Sequence, residues 1–151
     1  MKKTSTLTAL IIILFTFSGC SEEHESIEFN KEQSGGLYEI AIDGEVFEFY
    51  NSDETYILNT NTFIPFENFD KIYRHVSEDP YEYGINLELD ATGTVQFKDM
   101  TARNLGHEVC FVVGDKIIAA PVVMTPIEEG DVLMSMMNQE EVEEIISILE
   151  R

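Results

Sequence analysis

Leu7 to Phe17 is the one long apolar run in the chain, interrupted only by Thr8 and Thr16. It follows Lys2 and Lys3 and gives way to Ser18 and Gly19. A helix needs about 20 apolar residues to cross roughly 30 Å of hydrocarbon, so this run is too short to span. Positive residues, an apolar stretch and then small residues make the pattern of an export signal, which is removed. A multispan membrane fold is therefore excluded. The remainder is rich enough to fold: the 151 residues are 44% apolar, with ten Phe and six Tyr, enough for the core of one domain.

The run ends in Phe17-Ser18-Gly19-Cys20, which resembles the lipobox of bacterial lipoproteins, although Phe17 replaces the usual Leu. The resemblance implies acylation of the Cys20 thiol by palmitate-type chains, cleavage before it, and Cys20 as the lipid-bearing first residue. Ser21, not Asp, follows, so the inner-membrane retention signal of some lipoproteins is absent. Cys20-Ser-Glu-Glu-His-Glu25 resembles the acidic tag that sends some lipoproteins to the outer face of the outer membrane, and reads equally as an ordinary solvated tether. The expected location is the cell envelope, lipid-anchored, at the outer membrane, on its periplasmic or its surface-exposed side.

Charge narrows the partners. Against 29 Asp+Glu stand 9 Lys+Arg, a net charge of -20. Cleavage removes Lys2 and Lys3 and no acid, leaving seven basic residues and a charge of -22. Nucleic acid is excluded as a partner, because displacing phosphate counterions requires clustered Lys and Arg.

Three segments are expected: a signal peptide over 1–19, a lipidated, flexible acidic tether over 20–36, and one domain over 37–151. The tether is polar, has Ile27 and Phe29 as its only large apolar residues, and ends in Ser34-Gly35-Gly36. Leu37–Ile42 and Glu45–Tyr50 are β-prone and joined by Asp43-Gly44, which predicts a hairpin with a type I′ turn. Thr55 to Asn59 is a further short strand. Phe66, Phe69, Ile72, Tyr73 and Val76 fall at helical spacing behind Pro65, which predicts a short helix over about 65–71.

Ile85, Leu87 and Leu89 alternate with polar residues, the mark of a half-buried strand. Phe97, Met100, Thr101, Asn104 and Leu105 share a helical face ahead of Gly106. His107–Val113 and Lys116–Ala120 are strands turned by Gly114-Asp115, with Pro121 where pairing breaks. Val132–Met136 is the last strand. Asn138 caps the final helix, with Glu141 three residues on and Val142, Ile145, Ile146 and Leu149 on one face. The order predicts an α+β fold: an antiparallel or mixed sheet with helices packed on one face, a β-α-β-β-β-α core preceded by a β-hairpin.

Leu87–Asp90, Phe97, Thr101, Asn104, Gly106, Val113, Gly114, Ile118-Ala-Ala-Pro-Val-Val123, Ile127, Gly130 and Asn138–Val142 occur in the order seen in one family. From about residue 56 to 150 the chain resembles the head subdomain of the first periplasmic domain of SecD, the accessory subunit of the bacterial Sec export machinery. Ser135 stands where that family usually has Gly. SecD moves by proton coupling through ionisable residues in transmembrane helices, and no such helix follows the signal here. The resemblance implies the fold and, by analogy, contact with extended polypeptide.

The residues offer little for catalysis. His24, His75 and His107 are scattered without metal-ligand spacing, and Cys110 alternates within an apolar strand as a buried, inert thiol. Glu128-Glu129, Glu140-Glu141 and Glu143-Glu144 are pairs that acidity alone produces. Asn51–Glu54 and Glu128–Asp131 offer clustered loop oxygens for calcium but no EF-hand spacing, and read as solvated acidic loops. Met134 and Met136 fall on one strand face and Met137 on the other. Met134, Met136 and Pro121 form the candidate peptide-contact region, an adaptable apolar surface, with core packing as the alternative for the methionines.

The expectation is a non-enzymatic lipoprotein without cofactor, held to the membrane by acyl chains on Cys20, that binds polypeptide or another envelope protein and assists export. A surface-exposed scaffold lipoprotein is the alternative. A metal-dependent hydrolase has the least support.

Overall fold

The structure, a computed structural model, describes residues 25–76 and 83–151. Cys20 and the expected signal segment lie outside the described residues. The elements are β1 (Ser26–Ile27), β2 (Gly35–Phe49), β3 (Thr55–Pro65), a 3-10 turn (Phe66–Asn68), β4 (Phe69–Val76) and β5 (Tyr83–Leu89). Then come α1 (Ala91–Arg103), β6 (Val109–Val113), β7 (Lys116–Ala119), β8 (Asp131–Met137) and α2 (Gln139–Leu149). The expected α+β order from β5 to α2 is present. The strands form two four-stranded sheets, ordered β1-β4-β5-β8 and β3-β2-β6-β7.

The main core lies between these sheets. Ile85, Leu87 and Leu89 of β5 meet Phe97 and Met100 of α1, and Val142, Ile145, Ile146 and Leu149 of α2 join the same cluster. Both helices thus serve one face of the first sheet. All five residues of β6 are buried, because this strand is covered on both sides: Val109, Phe111 and Val113 enter the main core. Cys110 and Val112 enter a smaller cluster with Tyr38, Leu58 and Ile117. β2 encloses that cluster by pairing with β6 through Gly35–Glu39 and with β7 through Glu48–Phe49. An uninterrupted apolar strand is the sequence counterpart of two covered faces.

Four expectations are corrected. First, Asp43-Gly44 is not a hairpin turn. β2 runs through it, Ile40 and Glu45 both register with Leu58, and the residues between them bulge out. Gly44 lacks the positive φ that a type I′ turn demands. Its role is close approach, since a Cβ there would lie 2.0 Å from the Leu58 carbonyl oxygen. The true hairpin joins β2 to β3 through Tyr50–Glu54, closed by the Phe49 N–H donating to the Glu54 carbonyl at 2.9 Å.

Second, the helix expected over 65–71 is only the 3-10 turn, and the chain is extended from Phe69. A register shift between Phe69 and Lys71 lets Phe69 and Ile72 both reach the core. In a straight strand, residues three apart face opposite sides; the bulge therefore imitates helical spacing.

Third, the described part of the expected tether, residues 25–36, is folded onto the domain. Ser26 and Ile27 pair with Tyr73 and Ile72. Ile27 is in the core, and the Phe29 ring lies 5.8 Å from that of Phe66. Gly35 and Gly36 open β2 at φ values of 137° and 138°. A Cβ on Gly36 would sit 1.9 Å from the Ile64 carbonyl oxygen, so glycine here admits a neighbouring strand and is not a linker.

Fourth, Leu105 follows the end of α1 and is exposed. α1 itself is capped by Asp90, whose side chain accepts from the Gly93 N–H at 2.7 Å. The α2 capping box is present, with Asn138 and Glu141 satisfying each other's backbone N–H at 2.9 Å.

Candidate functional site

An apolar cleft of about 230 Å³ opens beside β8. Its floor is Phe97 of α1 with Val109 and Phe111 of β6; one wall is Val132–Met134, and the other is the segment from Pro121 to Ile127. Val122 is 47% exposed, Leu133 49% and Met124 80%, an unusual display of large apolar side chains around one opening.

The loop wall is held in place at several points. Val123 donates its N–H to the His107 carbonyl at 2.9 Å and accepts from the Gly106 N–H at 2.8 Å. The buried Thr101 hydroxyl donates to the Phe97 carbonyl at 2.9 Å and accepts the Ile127 N–H at 3.0 Å. Lys98 and Glu128 form an ion pair at 3.0 Å. The loop ends where the Leu89 N–H donates to Gly130 at 2.8 Å. This wall is preorganised by α1 and β5.

Two backbone edges border the cleft. β8 is the last strand of its sheet. On the opposite side, Glu108 and Val122 form an isolated antiparallel bridge whose hydrogen bonds are made by their neighbours. Val122 therefore turns its own N–H and C=O away from β6. An extended chain entering the cleft meets backbone groups as well as apolar side chains.

The candidate residues divide clearly. Met134, almost fully buried, and Pro121, exposed, both line the cleft. Met136 lies on β8, but its side chain is outside the described residues. Cys110 is in the small cluster and is fully buried. Burial, with a smaller contribution from Glu108, pushes its thiol up to about 12. His75 lies on β4 opposite Gly84, and His107 lies in the turn after α1, donating its N–H to Asn104. Among the described residues no three His, Cys, Asp or Glu side chains are placed to hold a metal. Asn51–Glu54 forms the β2–β3 turn, and Glu128 is engaged by Lys98.

Val122 and Ile127 entered the sequence reading only as members of the family-like block, not as contact residues, and Met124 was not singled out. The signal for Val122 and Met124 is an apolar stretch flanked by Pro121 and Pro126, with Ile127 directly after the second proline, a segment that can be neither helix interior nor central strand.

A second polar feature steadies the scaffold. Glu39, 8% exposed, accepts from Arg103 Nε at 2.6 Å and from the Asn104 amide. Burial acts to raise its carboxyl, but the hydrogen bonds and the guanidinium charge outweigh it and hold the carboxyl below its ordinary value. The pair links β2 to the C-terminal end of α1.

Residues 44–151 match the family described as SecDF, P1 head subdomain. The chain belongs to that family. The SecDF head match begins ahead of the stretch that residue order alone suggests and covers the domain from the middle of β2 onward. Among curated relatives, the protein translocase subunit SecD of Acetobacter pasteurianus is 36% identical over 50 residues, 33% of this chain and 10% of that one. The chain thus spans far less than the length of that relative. Among solved structures, SecDF described as a membrane component that enhances protein export superposes with a TM-score of 0.51 at 16% identity, covering 78% of this chain and 62% of that one. SecDF in its super-membrane-facing form gives 0.51 at 14% identity, over 76% and 18%. At these identities the structural likeness is one of fold. Among the described residues no helix is long and apolar enough to cross a membrane.

Proposed function

We propose that this SecDF-head protein is a non-enzymatic export accessory, anchored in the envelope by acyl chains on Cys20, which holds extended segments of exported polypeptide in the cleft beside β8. The observation that carries the reading is the juxtaposition of an apolar cleft with two backbone edges, at β8 and at Val122. Extended peptides bind by adding a strand at a sheet edge and placing alternate side chains in pockets. The outward Val122 and Met124 side chains suit varied apolar residues, and methionine adapts to different shapes. Asp131, next in the chain to the lining Val132, and the net charge of -20 favour segments carrying Lys or Arg.

The test is binding of the full chain, purified in detergent, to one exported protein held unfolded and to the same protein folded. A preference of at least about tenfold, or ~1.4 kcal/mol, for the unfolded form is expected. Equal affinity removes the polypeptide-holding role and leaves the scaffold lipoprotein.

A further inference from the structure

The chain between the anchor residue and the first strand is short, and β1 determines where it leaves the domain. Only Ser21–His24 separate Cys20 from Glu25. The Arg74 N–H donates to the Glu25 carbonyl at 3.1 Å, and the Arg74 guanidinium lies 3.7 Å from the Glu25 carboxylate and 3.0 Å from that of Glu143 on α2. Since β1 is antiparallel to β4, its N-terminal end at Glu25 and Ser26 lies toward the Val76 end of β4. That end of the sheet also holds Tyr83 and Met137, which are in register, and the start of α2. The opposite end holds Glu88 in register with Asp131, and the Leu89–Gly130 bond that closes the cleft loop.

Resting on lipid attachment at Cys20, we infer that the domain stands on the membrane in one orientation, with the Val76–Tyr83–Met137 end toward the lipid headgroups and the 121–130 loop directed away. Five residue steps from Cys20 reach at most about 18 Å. From Met137 to Asp131, β8 adds about 20 Å at ~3.3 Å per residue. The cleft loop therefore works within roughly 40 Å of the lipid surface, and its polypeptide must be met there. The near end bears Glu140 and Glu141 in the first turn of α2, while Arg74 is already engaged by two carboxylates. Acids facing an anionic bilayer are repelled, so the domain stands off the surface and does not lie flat on it.

The experiment uses the lipidated full chain in vesicles of phosphatidylethanolamine and phosphatidylglycerol that carry an acceptor dye on a headgroup. A donor dye is placed on Glu140→Cys or on Glu129→Cys; Cys110 is buried and Cys20 acylated, so each variant labels once. Energy transfer from position 140 is expected to be at least about twice that from 129, given the ~20 Å offset. Equal transfer, or the reverse order, overturns the orientation. About a dozen Gly/Ser residues inserted between Ser21 and Glu22 lengthen the connection to Cys20 and should lower transfer at both positions; unchanged transfer contradicts the short tether. Flotation of the chain with the vesicles reads the anchor separately. Failure to float overturns anchor and orientation together, whereas flotation with equal transfer overturns only the orientation.

Discussion

The Thr101 hydroxyl accepts the Ile127 backbone N–H at 3.0 Å from a side chain with no solvent exposure. One hydroxyl thereby joins the last turns of α1 to the loop that walls the cleft. Thr101→Val preserves shape and removes the acceptor. It should cost about 1–3 kcal/mol, read by denaturant unfolding, and should speed amide exchange at Ile127 before the strands exchange. Unchanged exchange at Ile127 would show that the loop is positioned by other contacts.

Ile27 should behave as a core residue. Ile27→Ala is expected to cost about 2–5 kcal/mol, because the side chain is 5% exposed and packed in the main cluster. Substitution within a free tether changes stability by nothing measurable.

Gly44→Ala separates close approach from turn formation. The added methyl would meet the Leu58 carbonyl oxygen at 2.0 Å, so β2 or β3 must shift, and a loss of about 1–3 kcal/mol is expected. A change within a few tenths of a kcal/mol would contradict the strand contact.

Glu39 gives the stability a carboxylate dependence of known sign. Its folded carboxyl is held below the ordinary value by Arg103 and Asn104 against the effect of burial. The unfolded state therefore binds the proton more readily. The stabilisation is complete above the unfolded value of about 4.3 and is lost as pH falls through the folded one. Glu39→Gln should lower stability at neutral pH and flatten the decline below about pH 4. An unchanged acid limb would remove Glu39 as a contributor.

The Cys110 thiol, pushed up to about 12 by burial, should react with an aromatic disulfide reagent about a thousandfold more slowly in the folded chain than after denaturation. Rapid native labelling would show that the small cluster opens.

What could be read from the residues depended on how local the determinants were. α2 was legible because its capping box and its four apolar residues, Val142, Ile145, Ile146 and Leu149, lie within one short segment. β5 was legible because its faces alternate without interruption. The 65–71 segment misled because a bulge brings Phe69 and Ile72 to one side. Asp43-Gly44 misled because its local turn chemistry is overridden by pairing across to Leu58. Ile27 is a strand residue only because Ile72 lies opposite, a partner that no local pattern announces. At the cleft, Pro121 and Met134 were visible as oddities of composition, whereas Val122, Met124 and Ile127 acquire meaning only when the loop closes over α1.

The most direct measurement is site-specific photocrosslinking in cells, with the reactive side chain at Val122 in the cleft or at Val95 on the exposed face of α1. Holding of exported polypeptide in the cleft predicts adducts with exported chains in transit from Val122 and few from Val95, with the Val122 adducts lost when Leu133 is changed to Asp in a chain that remains folded. Adducts of equal yield from both positions, or none from Val122 while export is active, would contradict it.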